Sequence, residues 1–154
     1  MDAGCYPINL CRYLVGREPA VTRASAKTRG AGIDRAMAID LDFGEGTTGR
    51  IGCSIWSDSV IRMSVHVVGD AGELKAFNPF SPHVAHRVAV RNSKGHRVER
   101  FTRRSTYAFQ LDAFVAAVRD GGPVVTDVDD AVANMTVIDA AYEASGLGKR
   151  QPTP

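Results

Sequence analysis

Two side chains at the start of the chain could handle a proton together. Asp2 and Tyr6 lie four residues apart, so they share one face if this segment is helical. A phenol can pass a proton to or from a substrate hydroxyl, and a carboxylate can hold a substrate hydroxyl in place. A free phenol titrates near ~10, so a tyrosine working at neutral pH needs a cation beside it. Spacing of this kind is also common where no chemistry occurs; it then means a terminal acid and a half-buried tyrosine.

The other constellations carry less. His83 and His86 are three apart, but no third ligand lies at a recognisable spacing, so no metal site is expected. His66 falls on the polar side of an alternating stretch and reads as simply exposed. Arg97, Arg100, Arg103 and Arg104 could meet a phosphate, yet such a run more often marks a solvated edge that discourages strand pairing. Gly30-Ala31-Gly32-Ile33-Asp34-Arg35 begins like a dinucleotide fingerprint. It lacks the third glycine, and the residues after it alternate as a strand instead of a helix, so it is rejected as a nucleotide site. No Gly-x-Ser-x-Gly elbow for a seryl nucleophile occurs.

The elements that must position these groups follow from periodicity. Ile8, Cys11, Leu14 and Val15 recur at helical spacing, with Pro7 tolerated only in a first turn and Gly16 as the stop. A strand-rich middle follows. Residues 20–29 form a small and polar strand. In 36–43, Met37, Ile39, Leu41 and Phe43 alternate with polar partners, and Ile51, Cys53 and Ile55 alternate likewise. Met63, Val65 and Val67 open a second group, with 73–77, the pair Val88 and Val90, and the pair Val98 and Phe101 after it. Two prolines in 78–83 forbid regular structure there. Tight glycine turns between successive strands imply an antiparallel meander or mixed sheet. Two helices close the chain. Ser105 or Thr106 caps the first, with its apolar stripe at Tyr107, Leu111, Phe114, Val115 and Val118. Thr126 caps the second, which buries Val128, Val132, Met135, Ile138 and Tyr142. The fold class is α+β, two-layer, with helices packed on one face of a large, mostly antiparallel open sheet.

At 154 residues, with 44% hydrophobic and 23% charged, the chain suits one globular domain. The expected organisation is one domain over 1–150 and a frayed tail at 151–154. A net charge of +2 argues against nucleic acid or an acidic membrane as partner. Cys5, Cys11 and Cys53 are odd in number and form no C-x-x-C pair, so they read as reduced thiols. There is no run of 18 apolar residues and no signal-peptide pattern, and a cytoplasmic location is expected.

Beyond this, three stretches resemble a known family. Asp2-Ala3-Gly4-Cys5-Tyr6-Pro7-Ile8-Asn9-Leu10, followed by Arg12-Tyr13-Leu14 and Gly16, resembles the second signature of the Gfo/Idh/MocA oxidoreductases. Ser105-Thr106-Tyr107 with Gln110 and Phe114 resembles the Thr-Tyr-x-x-Gln-x-x-x-Phe helix of that family. Gly122-Pro123, Thr126, Asp130-Ala131, Ile138-Asp139, Tyr142 and Gly146 resemble its closing helix. The resemblance covers nearly the whole chain, and it is to the C-terminal, substrate-side domain.

This resemblance implies hydride transfer between NAD(P) and a sugar, polyol or diol carbon. Tyr6 falls on the acid/base position and Asp2 on the carboxylate that orients substrate, while Phe101 and Tyr107 fall near the substrate pocket. Tyrosine at position 6 looks like the glucose–fructose oxidoreductase and dihydrodiol dehydrogenase branch. The family's glycine fingerprint and Glu-Lys-Pro motif belong to an N-terminal nucleotide-binding domain with no counterpart here. The expectation is therefore that no NAD(P) binds this chain alone, that the chain alone is inert, and that it forms a homo-oligomer through the open sheet face. The alternative is a stand-alone oligomerisation or ligand-binding module without catalysis.

Overall fold

The computed structural model describes residues 3–30, 33–55 and 63–149. The chain divides into two compact units, Met1–Asp58 with Val125–Pro154, and Ser59–Val124.

The first unit is built on a three-stranded antiparallel sheet, β1 (Ala20–Arg29), β2 (Ile33–Asp42) and β3 (Thr48–Ser54), in that order. Its register places Ala24, Ile39 and Ile51 side by side, with Ala26, Met37 and Cys53 in the next row on the same face. That face is apolar because β2 alternates, as its sequence pattern predicts. Helices α1 (Cys5–Val15) and α3 (Val128–Ala144) cover it. Ile8, Met37, Ile39, Leu41, Ile51 and Ala141 are at most 3% exposed and form the centre of the core. Burying each large apolar side chain of this kind is worth about 1.5–3 kcal/mol. Between β2 and β3 the backbone passes through three successive left-handed residues, Gly44, Glu45 and Gly46. Asp42 Oδ1 accepts the Gly44 N–H at 2.8 Å and fixes that turn.

The second unit is a four-stranded meander, β4 (Ser64–Gly69), β5 (Gly72–Phe77), β6 (Arg87–Asn92) and β7 (Gly95–Glu99), followed by α2 (Thr106–Asp120). Gly72 opens β5 at φ +143, and a Cβ there would run into the Arg91 carbonyl of β6. Only glycine fits that position.

The α+β class and the antiparallel strand order agree with the sequence expectation. The described strands form two antiparallel sheets, β1–β3 and β4–β7. β2 starts three residues earlier than its alternation suggested, because Arg29 already pairs with Ile33. Ser105 caps α2 as expected, its hydroxyl accepting the Tyr107 N–H at 3.3 Å. For α3 the cap is Asp127, not Thr126: its carboxylate accepts the Asp130 N–H at 2.9 Å. Both residue types can cap, and the one whose side chain reaches the orphan N–H wins. The buried face of α3 is also corrected. Val137, Ile138, Ala141 and Tyr142 are buried, while Val128, Val132 and Met135 are more than half exposed. Only the second half of the helix lies over core.

Candidate functional site

Tyr6 is the second residue of α1 and is 60% exposed. The helix that carries it is held on several sides. Ile8, two residues on, is fully buried in the core. Asn134 of α3 donates through Nδ2 to the Cys5 carbonyl at 3.3 Å, one residue before Tyr6. Further along α1, Asn9 Nδ2 donates to Asp130 Oδ2 at 3.1 Å.

Arg12 completes the clamp. It is charged yet only 6% exposed, and it replaces Leu14 on the inward face of α1. Its Nε and Nη2 each donate to the Glu18 carboxylate at 2.7 Å, and its Nη1 donates to Asp130 Oδ1 at 2.8 Å. A planar guanidinium satisfies two carboxylates in this way without leaving a buried donor unmet. Arg12 holds the Glu18 carboxyl below the usual range, chiefly through that hydrogen bond. Glu18 in turn raises the guanidinium further above its already high value, against the opposing effect of burial. A cleft of about 170 Å³ opens beside these residues, lined by Asn9, Arg12, Tyr13, Glu18, Thr126 and Asp130 among others. Tyr6 does not line it; Arg12, Glu18 and Asp130 are engaged with one another, and Arg17, also in the lining, pairs with Glu45. Arg12, Asn9, Glu18, Asp130 and Asn134 were not found as positioning groups from sequence. Their one local signal is that Asn9 and Arg12 lie three apart, on the helix face that meets α3.

The remaining candidates fall as follows. Asp2 lies outside the described residues. Phe101 and Tyr107 belong to the second unit, whereas Tyr6 belongs to the first. Phe101 is 53% exposed, and its ring neighbour is His86, at a centroid distance of 5.8 Å. Tyr107 sits in the first turn of α2 and points its ring to solvent, being 76% exposed. The arginine run is partly committed: Arg97 pairs with Glu99 at 2.8 Å, and Arg104 pairs with Asp112 at 2.6 Å and stacks over Phe109. His66 is not merely exposed. Its Nε2 meets Glu73 at 2.9 Å, and Lys75 and Arg91 surround the same carboxylate. His66 foremost, with Lys75 and Arg91, pulls the Glu73 carboxyl down to about 2 against the effect of burial. None of the three cysteines is in a disulfide, and burial pushes the Cys11 and Cys53 thiols up, which makes them poor nucleophiles.

A dinucleotide needs a strand, a glycine turn and a helix whose N-terminus faces the pyrophosphate. The described residues do not fit it. Gly30 has φ +68 and sits where β1 ends, and β2 begins at Ile33 antiparallel to β1. The segment that opens like a fingerprint thus lies between two antiparallel strands, with no helix after it.

Comparison with known proteins identifies the family and the fold. Residues 1–152 match the family model described as oxidoreductase family, C-terminal alpha/beta domain, of the Gfo/Idh/MocA type. The chain is 29% identical over 150 residues to a D-xylose 1-dehydrogenase (NADP(+)) of Haloferax volcanii, covering 96% of this chain and 46% of that protein. It is 25% identical to an uncharacterised oxidoreductase of Rhizobium meliloti, again over 96% of the chain and 46% of the relative. Among solved structures, a 3-ketoreductase from Actinomadura kijaniata in complex with NADP and TDP-benzene superimposes with a TM-score of 0.79 at 18% identity, over 93% of this chain and 44% of that one. A UDP-N-acetylglucosamine 3-dehydrogenase from Acidithiobacillus ferrooxidans gives 0.76 at 15% identity, over 94% and 45%. The two structural likenesses show the fold. The chain spans about half the length of the relatives it matches.

Proposed function

Because this chain belongs to the Gfo/Idh/MocA oxidoreductase family as its C-terminal alpha/beta domain, we propose that it supplies the substrate side of an NAD(P)-dependent oxidoreductase. The substrate is a sugar, polyol or diol, oxidised at a CH–OH carbon. The observation that carries this reading is Tyr6: an exposed phenol on a helix whose backbone is pinned at Cys5, Ile8, Asn9 and Arg12. A proton-transfer group needs both access and a fixed origin. The xylose dehydrogenase among its relatives favours a carbohydrate substrate.

In this reading Tyr6 Oη takes the proton of the substrate hydroxyl on oxidation and returns it on reduction. Asp2 accepts a hydrogen bond from a second hydroxyl of the substrate and so sets its orientation. Phe101 and Tyr107 present aromatic faces to the sugar ring. Residues 1–150 act as the substrate-side domain, and 151–154 as a tail. On this reading the nicotinamide is held by a nucleotide-binding half, and the chain alone is inert.

The outer face of the first sheet supports a homo-oligomer. Ser25, Ala38 and Gly52 stand side by side across it and are exposed, a row of small residues that lets a second copy approach closely. Ala38→Arg should shift the chain to monomer in sedimentation, and an unchanged mass would argue against this face.

The test of the Tyr6 role is Tyr6→Phe in the protein completed by a nucleotide-binding half. Turnover should fall about 10²–10⁴-fold, the usual worth of a positioned proton-transfer group, with KM little changed. Unchanged kcat would remove Tyr6 from the chemistry.

A further inference from the structure

We propose that His86 is a positioning residue for Phe101, acting as a neutral imidazole with its proton on Nδ1. This deepens the substrate-side reading, on which the role of Phe101 rests. His86 Nε2 accepts the Phe101 backbone N–H at 3.1 Å. An imidazole nitrogen that accepts carries no proton. The proton is therefore on Nδ1, which lies 2.6 Å from the Pro82 carbonyl and donates to it. One ring ties two backbone segments together, and each tie demands the same tautomer.

The Pro82 end of this clamp is itself fixed. Asn78 is buried, holds φ +50, and gathers the loop after β5 around its side chain. Its Nδ2 donates to the Ser81 and Ala85 carbonyls, each at 2.8 Å, and its Oδ1 accepts the Ser81 N–H at 3.2 Å. Its backbone N–H donates to the Met63 carbonyl at 2.8 Å.

The Phe101 end has no such support of its own. Residues 100–105 are neither strand nor helix, and among the described residues the bond to His86 is the hydrogen bond that holds Phe101. The Phe101 ring also leans on the imidazole at 49°. A half-exposed aromatic on an irregular segment would ordinarily sample many orientations. Here the main chain is tethered at the residue itself, five positions before α2, so the ring is presented in one place. A face held ready in this way suits stacking against the C–H side of a sugar ring, with less ordering left to pay at binding.

The test uses the 154-residue chain itself, with ¹⁵N-labelled histidine, at mildly alkaline pH. Wild type should show His86 protonated at Nδ1 and bare at Nε2. The Phe101 amide should exchange roughly tenfold faster in His86→Ala, as expected when one protecting hydrogen bond is lost. His86→Gln places an amide oxygen near the Nε2 position and should restore most of that protection. A proton found on Nε2, or a Phe101 amide that exchanges equally fast in wild type and His86→Ala, would overturn the clamp. Should His86→Ala fail to fold, the wild-type tautomer and the Gln variant still decide. None of these readouts needs substrate or cofactor. Their failure would leave the oxidoreductase reading, which is tested by turnover, untouched.

Discussion

The two units of this chain are stabilised by different means. In the first, apolar side chains from two helices and three strands reach near-complete burial, and every buried apolar residue among those described belongs to it. In the second, the described apolar residues all stay at least partly exposed. Phe109, Leu111, Phe114 and Val118 on α2 are each 47% exposed or more. Its order comes from ladder hydrogen bonds, the Asn78 loop, the Glu73 ion cluster and glycine geometry. The lesson is that the proposed proton-handling tyrosine stands on the unit with a core. The proposed substrate-facing aromatics stand on the unit held by backbone and polar contacts.

Four measurements sharpen or break this comparison. The largest effect is expected from Ile8→Ala, which should cost about 2–5 kcal/mol in urea unfolding. Leu74→Ala, on the meander, should cost well under half as much, and equal losses would erase the contrast between the units. Next, Arg12→Ala removes a buried cation and leaves Asp130 short of a partner. A loss of about 2–3 kcal/mol is expected, below the ~3–5 of a fully buried pair because Glu18 is exposed to solvent. Gly72→Ala should destabilise the meander by a comparable amount, about 1–3 kcal/mol, since the cost there is backbone strain and a clash with the Arg91 carbonyl. Amide exchange should report the loss at β5 and β6, leaving β1–β3 protected.

The smallest effect concerns pH. The Glu73 carboxyl titrates lower in the folded chain, near 2, than its ordinary 4.5. Its contribution is therefore fully present above 4.5 and is lost as pH falls from there through about 2. The cluster is solvent-accessible, so the effect should be small and should shrink further in high salt. Glu73→Gln should be less stable than wild type at neutral pH, and the gap should close on acidification. A gap that stays constant down to pH 2 would mean that the ion cluster contributes nothing.

Much of this was legible in the sequence, and the gaps have physical causes. The alternation of Met37, Ile39 and Leu41 marks β2 because that strand is buried on one face only. Ser105 announces α2, since a cap acts within three residues of itself. What escaped depends on partners far along the chain. Arg12 looks like a surface charge until Asp130, 118 residues away, is brought to it. The exposed first half of α3 also carries large apolar residues, Val128, Val132 and Met135, at helical spacing, so periodicity alone could not separate it from the buried second half. The candidate site divides in the same way. Tyr6 stood out through the motif around it, whereas the groups that fix α1 and the His86 clamp are visible only in three dimensions.

The central proposal is that this chain supplies proton handling and substrate contact while a nucleotide-binding half supplies the nicotinamide. The direct test is NADP reduction by the purified chain across a panel of sugars and polyols, first alone and then joined to a nucleotide-binding half. The account predicts no reduction by the chain alone and clear turnover once it is joined. Nicotinamide reduction by the unassisted chain would contradict it.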